Sequence, residues 1–130
     1  MGGNADLAKQ AYEKFANGDV QGATENWADD IVWQGPNSTE LPGGGEHSGK
    51  DAALETLGKA VGAWDEFTLH MDEFFEKDES VVALGHSHVK KGDKEAQTPV
   101  VHILRFEQGK VKRFQILTDT YQAAQILGIG

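Results

Sequence analysis

Five histidines occur in a chain that has no cysteine, and four of them fall where strands are expected. His86 and His88 are two residues apart, so on a strand their side chains share a face with Val82 and Leu84. On the next strand Val100, His102, Leu104 and Phe106 share a face, and a hairpin across residues 90–97 brings His102 near His86 or His88. Three imidazoles at one end of an apolar cavity would make an acid–base site, because imidazole titrates near neutral pH, or a metal site. Val101 and Ile103 are apolar too, so the phase of that strand stays open. Three outcomes stand side by side: a shared functional pocket, structural or rim histidines, or a bound ion. His70 alternates with Phe67, Leu69 and Met71 and is expected to face outward, while His47 falls in a loop.

Two other spacings suggest chemistry and then depart from it. Gly44 to Asp51 reads G-G-E-H-S-G-K-D, which departs from the phosphate-binding G-x-x-x-x-G-K-[ST] at its last position. Asp51 has no hydroxyl to ligate magnesium there, and no buried parallel strand precedes the loop. His86-Ser87-His88 followed by Glu95 resembles an H-x-H metal motif of the cupins. Those proteins place the Glu four or five residues after the second His, and they are almost entirely β. Here Glu95 comes seven later, and the first half of the chain reads as helical.

The elements that must position these residues follow from period and capping. Leu7, Ala8, Ala11, Tyr12, Phe15 and Ala16 form one helical stripe over residues 5–17, ended by Asn17-Gly18. Asp19 can cap a second short helix. Ile31-Val32-Trp33-Gln34 reads as a strand, and Gly35 to Gly49 as a long loop of the kind that often serves as a lid or binding loop. A third helix is expected from Asp51 to about Ala63. From residue 65 the period becomes two, with turns at Lys77–Ser80, Lys91–Lys94 and Gln108-Gly109, a strand over Thr98–Glu107, a last strand over Lys110–Thr118 and a short terminal helix over Asp119–Leu127. Helices followed by a meander give an α+β class, with one domain expected over residues 1–130.

Charge narrows the partners. Twelve Lys and Arg against 21 Asp and Glu give a formal charge of −9, which repels nucleic-acid backbones and anionic membrane surfaces. No apolar run approaches the roughly 20 residues of a membrane span, and the expected location is cytoplasmic. Residues 65–79 hold seven acids against Lys77 alone, and residues 90–113 hold seven bases against three acids. That segregation suits cross-strand pairing on a solvated or dimer-facing sheet surface. The negative field is also expected to raise the histidine pKa values.

The order of motifs is similar to the SnoaL-like branch of the NTF2-like superfamily. The resemblance runs from Tyr12 and Asn17-Gly18-Asp19 through Trp27-Ala28-Asp29-Asp30 and Ile31-Val32-Trp33. It continues with His47-Ser48-Gly49-Lys50-Asp51 opening a helix, and ends in the hairpin Val101 to Val111. It implies a cone-shaped barrel in which a curved antiparallel sheet wraps around three helices and an apolar pocket, with homodimers formed through the outer sheet face. The known chemistries of the family do not transfer intact. The general-base Asp of ketosteroid isomerase falls on Gly35, its oxyanion-hole Asp on His102, and its oxyanion-hole Tyr near Ala11, next to Tyr12. The cyclase Asp falls on Ile116, with Asp119 three residues beyond.

The resemblance also turns His86, His88, Trp33, Phe114 and Thr118 inward. The expected function is therefore to bind, and as a cofactor-independent isomerase, cyclase or hydrolase to transform, a small, largely apolar or carbonyl-bearing molecule. His102, His86 and His88 would be the catalytic groups, and Tyr12, Trp33, Gln115, Phe114 and Thr118 would contact the substrate, with no metal. The competing reading is a non-catalytic ligand-binding or dimeric assembly module.

Overall fold

Long strands with apolar residues at alternate positions need a layer to cover one face, and here the helices supply it. In the computed structural model, which describes residues 3–129, the chain runs α1 (Gly3–Ala16), α2 (Val20–Ala23), β1 (Trp27–Gln34), β2 (Glu46–Ser48), α3 (Lys50–Gly62), β3 (Glu66–Lys77), β4 (Ser80–Lys91), β5 (Lys94–Glu107), β6 (Lys110–Thr118) and α4 (Thr120–Leu127). The strands form one curved sheet in the order β2-β1-β6-β5-β4-β3. Neighbours are antiparallel except β1 and β6, which are parallel. The sheet is open, with β2 and β3 at its edges, so the expected cone does not close into a barrel. The edge strand β2 has three residues against twelve in β3, and α1 lies against β3 while α3 lies against β1 and β2.

Local signals explain most of the elements. Asp19 caps α2 by accepting from the Gly22 N–H at 2.8 Å, and Asp119 caps α4 by accepting from the Gln122 N–H at 3.1 Å. The β5–β6 hairpin turns at Gln108-Gly109 with φ of 51° and 78°, the twist that two-residue hairpins favour. Two strands begin earlier than the residue pattern predicts, β1 at Trp27 and β5 at Lys94. The core joins Ala5 and Ala8 of α1 and Ala53 of α3 to Ile31, Trp33 and Val81 of the sheet. Trp27, Trp33 and Phe114 form an aromatic cluster with ring centroids 5.3–6.2 Å apart.

The expected loop over residues 35–49 is folded back on β1 and contains β2. Gly35 N–H donates to Gly45 O at 3.0 Å, Gly45 N–H donates to Pro36 O at 2.7 Å, and the buried Trp33 indole Nε1–H donates to Gly43 O at 2.8 Å. The backbone is so close there that a Cβ on Gly35 would sit 1.9 Å from Gly43 O. The Asp that ketosteroid isomerase carries at this place could not be accommodated without moving the loop. Gly35→Ala is expected to destabilise the fold by about 1–3 kcal/mol, the usual cost of overpacking. Urea unfolding followed by tryptophan fluorescence checks this, and an unchanged midpoint would contradict the close approach.

Candidate functional site

The concave side of the sheet and the helices enclose a cavity of about 180 Å³ with a mouth to solvent. Its floor comes from alternate residues of β5, among them Thr98, Val100, His102 and Leu104, and from Phe114, Ile116 and Thr118 of β6. Tyr12 of α1 and Trp33 of β1 form walls, Leu41 and Pro42 of the folded loop form a rim, and α4 adds Ala123 and Ile126. All three tryptophans, Trp27, Trp33 and Trp64, face this space.

The polar centre of the cavity is one pair. The Tyr12 hydroxyl lies 2.6 Å from His102 Nδ1, joining α1 to β5 across 90 residues of sequence. The imidazole also meets the Phe114 ring edge-on at 4.8 Å between centroids. Burial removes the water that would solvate either charge. It pushes the His102 imidazolium from 6.5 down to about 3 and pushes the Tyr12 phenol up. Both groups are therefore neutral at physiological pH. This reverses the expectation that the negative field raises the histidine pKa: for His102, burial outweighs it. Two neutral hydrogen-bonding groups in contact use one hydrogen between them and leave one unused. His102 Nε2 has no partner among the described residues, and no sealed side-chain nitrogen or oxygen among them lacks one, so Nε2 is open to the cavity.

The three histidines are not brought together. Register places Val81, Ala83, Ser87 and Val89 of β4 inward, so His86 and His88 point to the outer face with Val82 and Leu84. There His86 Nδ1 lies 3.6 Å from Asp72 Oδ2, and Asp72 Oδ1 lies 3.0 Å from Nε2 of His70, which faces outward as expected. His88 Nε2 is 3.9 Å from Glu95 Oε2. The reason is that β4 has apolar residues on both faces, and the inward set is the smaller one that α1 packs against. A sheet thus separates His86 and His88 from His102. Among the described residues no group of three His, Asp or Glu is arranged to hold a metal ion.

Of the expected substrate contacts, Tyr12, Trp33, Phe114 and Thr118 line the cavity. Gln115 does not, because it pairs with Ile103 in the outward phase of β6. Ser87 and Thr98, not expected as site residues, are on the lining, as is Asp119, which the resemblance sets three residues beyond the cyclase position. Thr98 was legible, because it continues the alternation of Val100 and His102. Ser87 was not legible, because the expected phase of β4 put His86 and His88 inward and Ser87 outward.

An open curved sheet with helices on its concave side defines the NTF2-like class of α+β folds. The chain belongs within it to the SnoaL-like domain family, whose model matches residues 8–114. Among solved structures it is similar to an NTF2-like protein of unknown function from Burkholderia pseudomallei, with 29% identity over 98% of each chain and a TM-score of 0.88. It also resembles TerC, crystallised with polyporic acid, with 23% identity over 97% of this chain and 98% of TerC and a TM-score of 0.87. An NTF2-like protein of Burkholderia thailandensis matches with 21% identity over 95% and 96% and a TM-score of 0.85. None of the curated proteins matches the chain in sequence. Among the described residues no helix is long and apolar enough to cross a membrane.

The sign of the His102 shift makes a stability prediction. Its folded-state pKa lies below the ordinary 6.5, so between pH 6.5 and about 3 the unfolded chain binds a proton that the folded chain does not. The contribution is complete above pH 6.5 and is lost as the pH falls. Between pH 6.5 and 5 the loss is about 2 kcal/mol, at 1.36 kcal/mol per unit. Replacing both partners (Tyr12→Phe with His102→Leu) leaves no orphaned group and removes this term. Urea unfolding at pH 7 and pH 5 is expected to show the wild type losing about 2 kcal/mol more than the double variant.

Proposed function

We propose that the protein binds a small, largely apolar, carbonyl-bearing molecule in the cavity, with the Tyr12–His102 pair donating its unused hydrogen to the ligand oxygen. The observation that carries this reading is that pair, neutral and hydrogen-bonded at 2.6 Å in a largely apolar enclosure. A buried donor without a protein acceptor favours an oxygen placed opposite it. The size is suitable, since an apolar cavity of about 150 Å³ already takes up benzene. TerC, which shares the fold, was crystallised with a small molecule, and this supports the same reading.

Binding is placed ahead of turnover. An imidazole whose conjugate acid has a pKa of about 3 is neither a charged acid nor an effective base at neutral pH. His86 and His88 lie across the sheet and cannot relay a proton to it. Among the described residues the one carboxylate on the lining, Asp119, is exposed and caps α4. Cofactor-free isomerase, cyclase or hydrolase chemistry would thus have polarisation of a carbonyl as its main resource here, as a neutral donor can provide to a developing oxyanion.

Self-association through the outer sheet face is the second part of the proposal. In register across four strands lie Ile103, Val82 and Phe75 in one row and Leu117, Val101 and Leu84 in the next. Phe75 and Leu117 are 53% and 49% exposed, so the rows form a contiguous apolar patch of the kind that marks an interface. A cytoplasmic setting belongs to the same reading, supported by a chain without cysteines, which needs no oxidising compartment.

Quenching of the cavity tryptophans by 2-acetylnaphthalene is expected to saturate. The Tyr12→Phe/His102→Leu variant should bind the ketone about five- to tenfold more weakly while binding 2-ethylnaphthalene unchanged. Equal loss for both compounds, or none for either, would remove the pair from recognition. Deuterium exchange at the acetyl group, followed by NMR, is expected not to accelerate, and acceleration lost in the variant would establish turnover instead. Light scattering is expected to give a dimer, which Phe75→Glu with Leu117→Lys converts to monomer; a monomeric wild type refutes the association.

A further inference from the structure

Counting hydrogens around the cavity reveals a second polar point. Three hydroxyl or indole donors on the lining are satisfied by the protein: the Thr24 hydroxyl donates to Val20 O at 3.0 Å, Thr118 to Pro99 O at 3.0 Å, and the Trp33 indole to Gly43 O. Ser87 and Thr98 differ. They face each other across the β4–β5 ladder, both are buried, and their hydroxyls lie 2.9 Å apart. Whichever donates, the other keeps a hydroxyl hydrogen, and neither side chain has a further partner among the described residues. Both residues line the cavity, so the unused hydrogen has only a cavity occupant to go to.

The two donor pairs sit on one strand at a fixed distance. Thr98 and His102 are four residues apart on β5 with only Val100 between them on the inward face, and both belong to the same cavity wall. At about 3.3 Å per residue the separation along the strand is about 13 Å. Allowing a hydrogen bond of about 3 Å at one or both ends leaves roughly 7–10 Å between ligand atoms, the span of two joined six-membered rings. The wall between the two points is apolar.

We infer that Ser87 and Thr98 form a second ligand subsite, so that the cavity selects a flat, elongated, apolar molecule ending in a hydrogen-bond acceptor at each end, one held by Tyr12–His102 and one by Ser87–Thr98. The inference rests on the proposed binding in the cavity and adds the length and two-ended polarity of the ligand. Because Thr98→Val and Ser87→Ala remove both hydroxyls while nearly keeping shape, the variant leaves no orphaned donor and is expected to fold.

The test uses three probes of nearly equal shape with two, one and no acceptors: 4,4′-bipyridine, 4-phenylpyridine and biphenyl, titrated calorimetrically into the full-length protein at pH 7.5. Ser87→Ala/Thr98→Val is expected to weaken 4,4′-bipyridine about tenfold, to change 4-phenylpyridine no more than twofold, and to leave biphenyl unchanged. Tyr12→Phe/His102→Leu is expected to weaken both pyridines. If 4-phenylpyridine responds to the Tyr12–His102 variant but 4,4′-bipyridine ignores the Ser87–Thr98 variant, the second subsite is overturned and cavity binding stands. If no probe binds the wild type, both fall.

Discussion

One hydrogen bond, Tyr12 to His102, sets the chemical character of the space between helix and sheet. Neither group could sit there alone, because a buried hydroxyl or imidazole without a partner costs about 1–3 kcal/mol. Together they tie α1 to the middle of β5, and the tie needs the helix to lie close to the sheet. Ala5 and Ala8 allow that approach, with Ala8 only 1% exposed, and Glu76 of β3 accepts from the Ala5 N–H at 2.9 Å. Small residues near the start of α1 and a polar aromatic one turn further along are thus parts of one arrangement. The first brings the helix down, and the second uses the proximity.

The same burial determines what the pair can do. A chain carrying −9 suggests protonated histidines, yet His102 is held neutral far below its ordinary range. Surface charges are screened over about 8–10 Å of salt solution, whereas loss of hydration acts directly on the ring. A neutral pair cannot give up a full proton easily, but it directs a hydrogen bond into a largely apolar space. The cavity is therefore suited to holding and polarising an oxygen more than to moving protons through a relay.

Much of this was legible in the residues, and each failure has a physical cause. The helices, the capping by Asp19 and the hairpin at Gln108-Gly109 follow from spacing and turn chemistry, while the inward phase of β5 follows from the family resemblance. Tyr12, Trp33, Phe114, Thr118 and His102 reach the cavity as their positions suggest. Gln115 does not, since alternation with the inward Phe114 and Thr118 turns it outward, and His86 and His88 do not, because β4 is apolar on both faces. On such a strand a shift by one residue exchanges every side chain, and composition does not choose between the two phases. The opening of the sheet was hidden for another reason. It depends on how many residues β2 contributes to an edge, and the loop that contains β2 is held by backbone contacts such as Trp33 Nε1 to Gly43 O.

Both faces of the sheet are apolar, so something must hold the phase of each strand, and two bulges do so. In β3 the register shifts between Met71 and Glu73, so Asp72 is the extra residue; Phe74 pairs inward opposite Ala83, and Phe75 pairs outward opposite Val82. In β6 the pairing passes from Val111 to Arg113 across a similar shift, leaving Lys112 extra and Phe114 inward. Each bulge is a pair of adjacent charged residues, Asp72-Glu73 and Lys112-Arg113, set between inward apolar ones. Two consecutive charges cannot alternate into a core without burying one of them, so the strand gains a residue instead and keeps both outside. Were the same residues to alternate without the bulges, Phe114 would turn away from His102, and Phe74 away from Tyr12. The paired charges are thus the surface counterpart of the buried pair: they fix which face of the sheet contributes to the cavity.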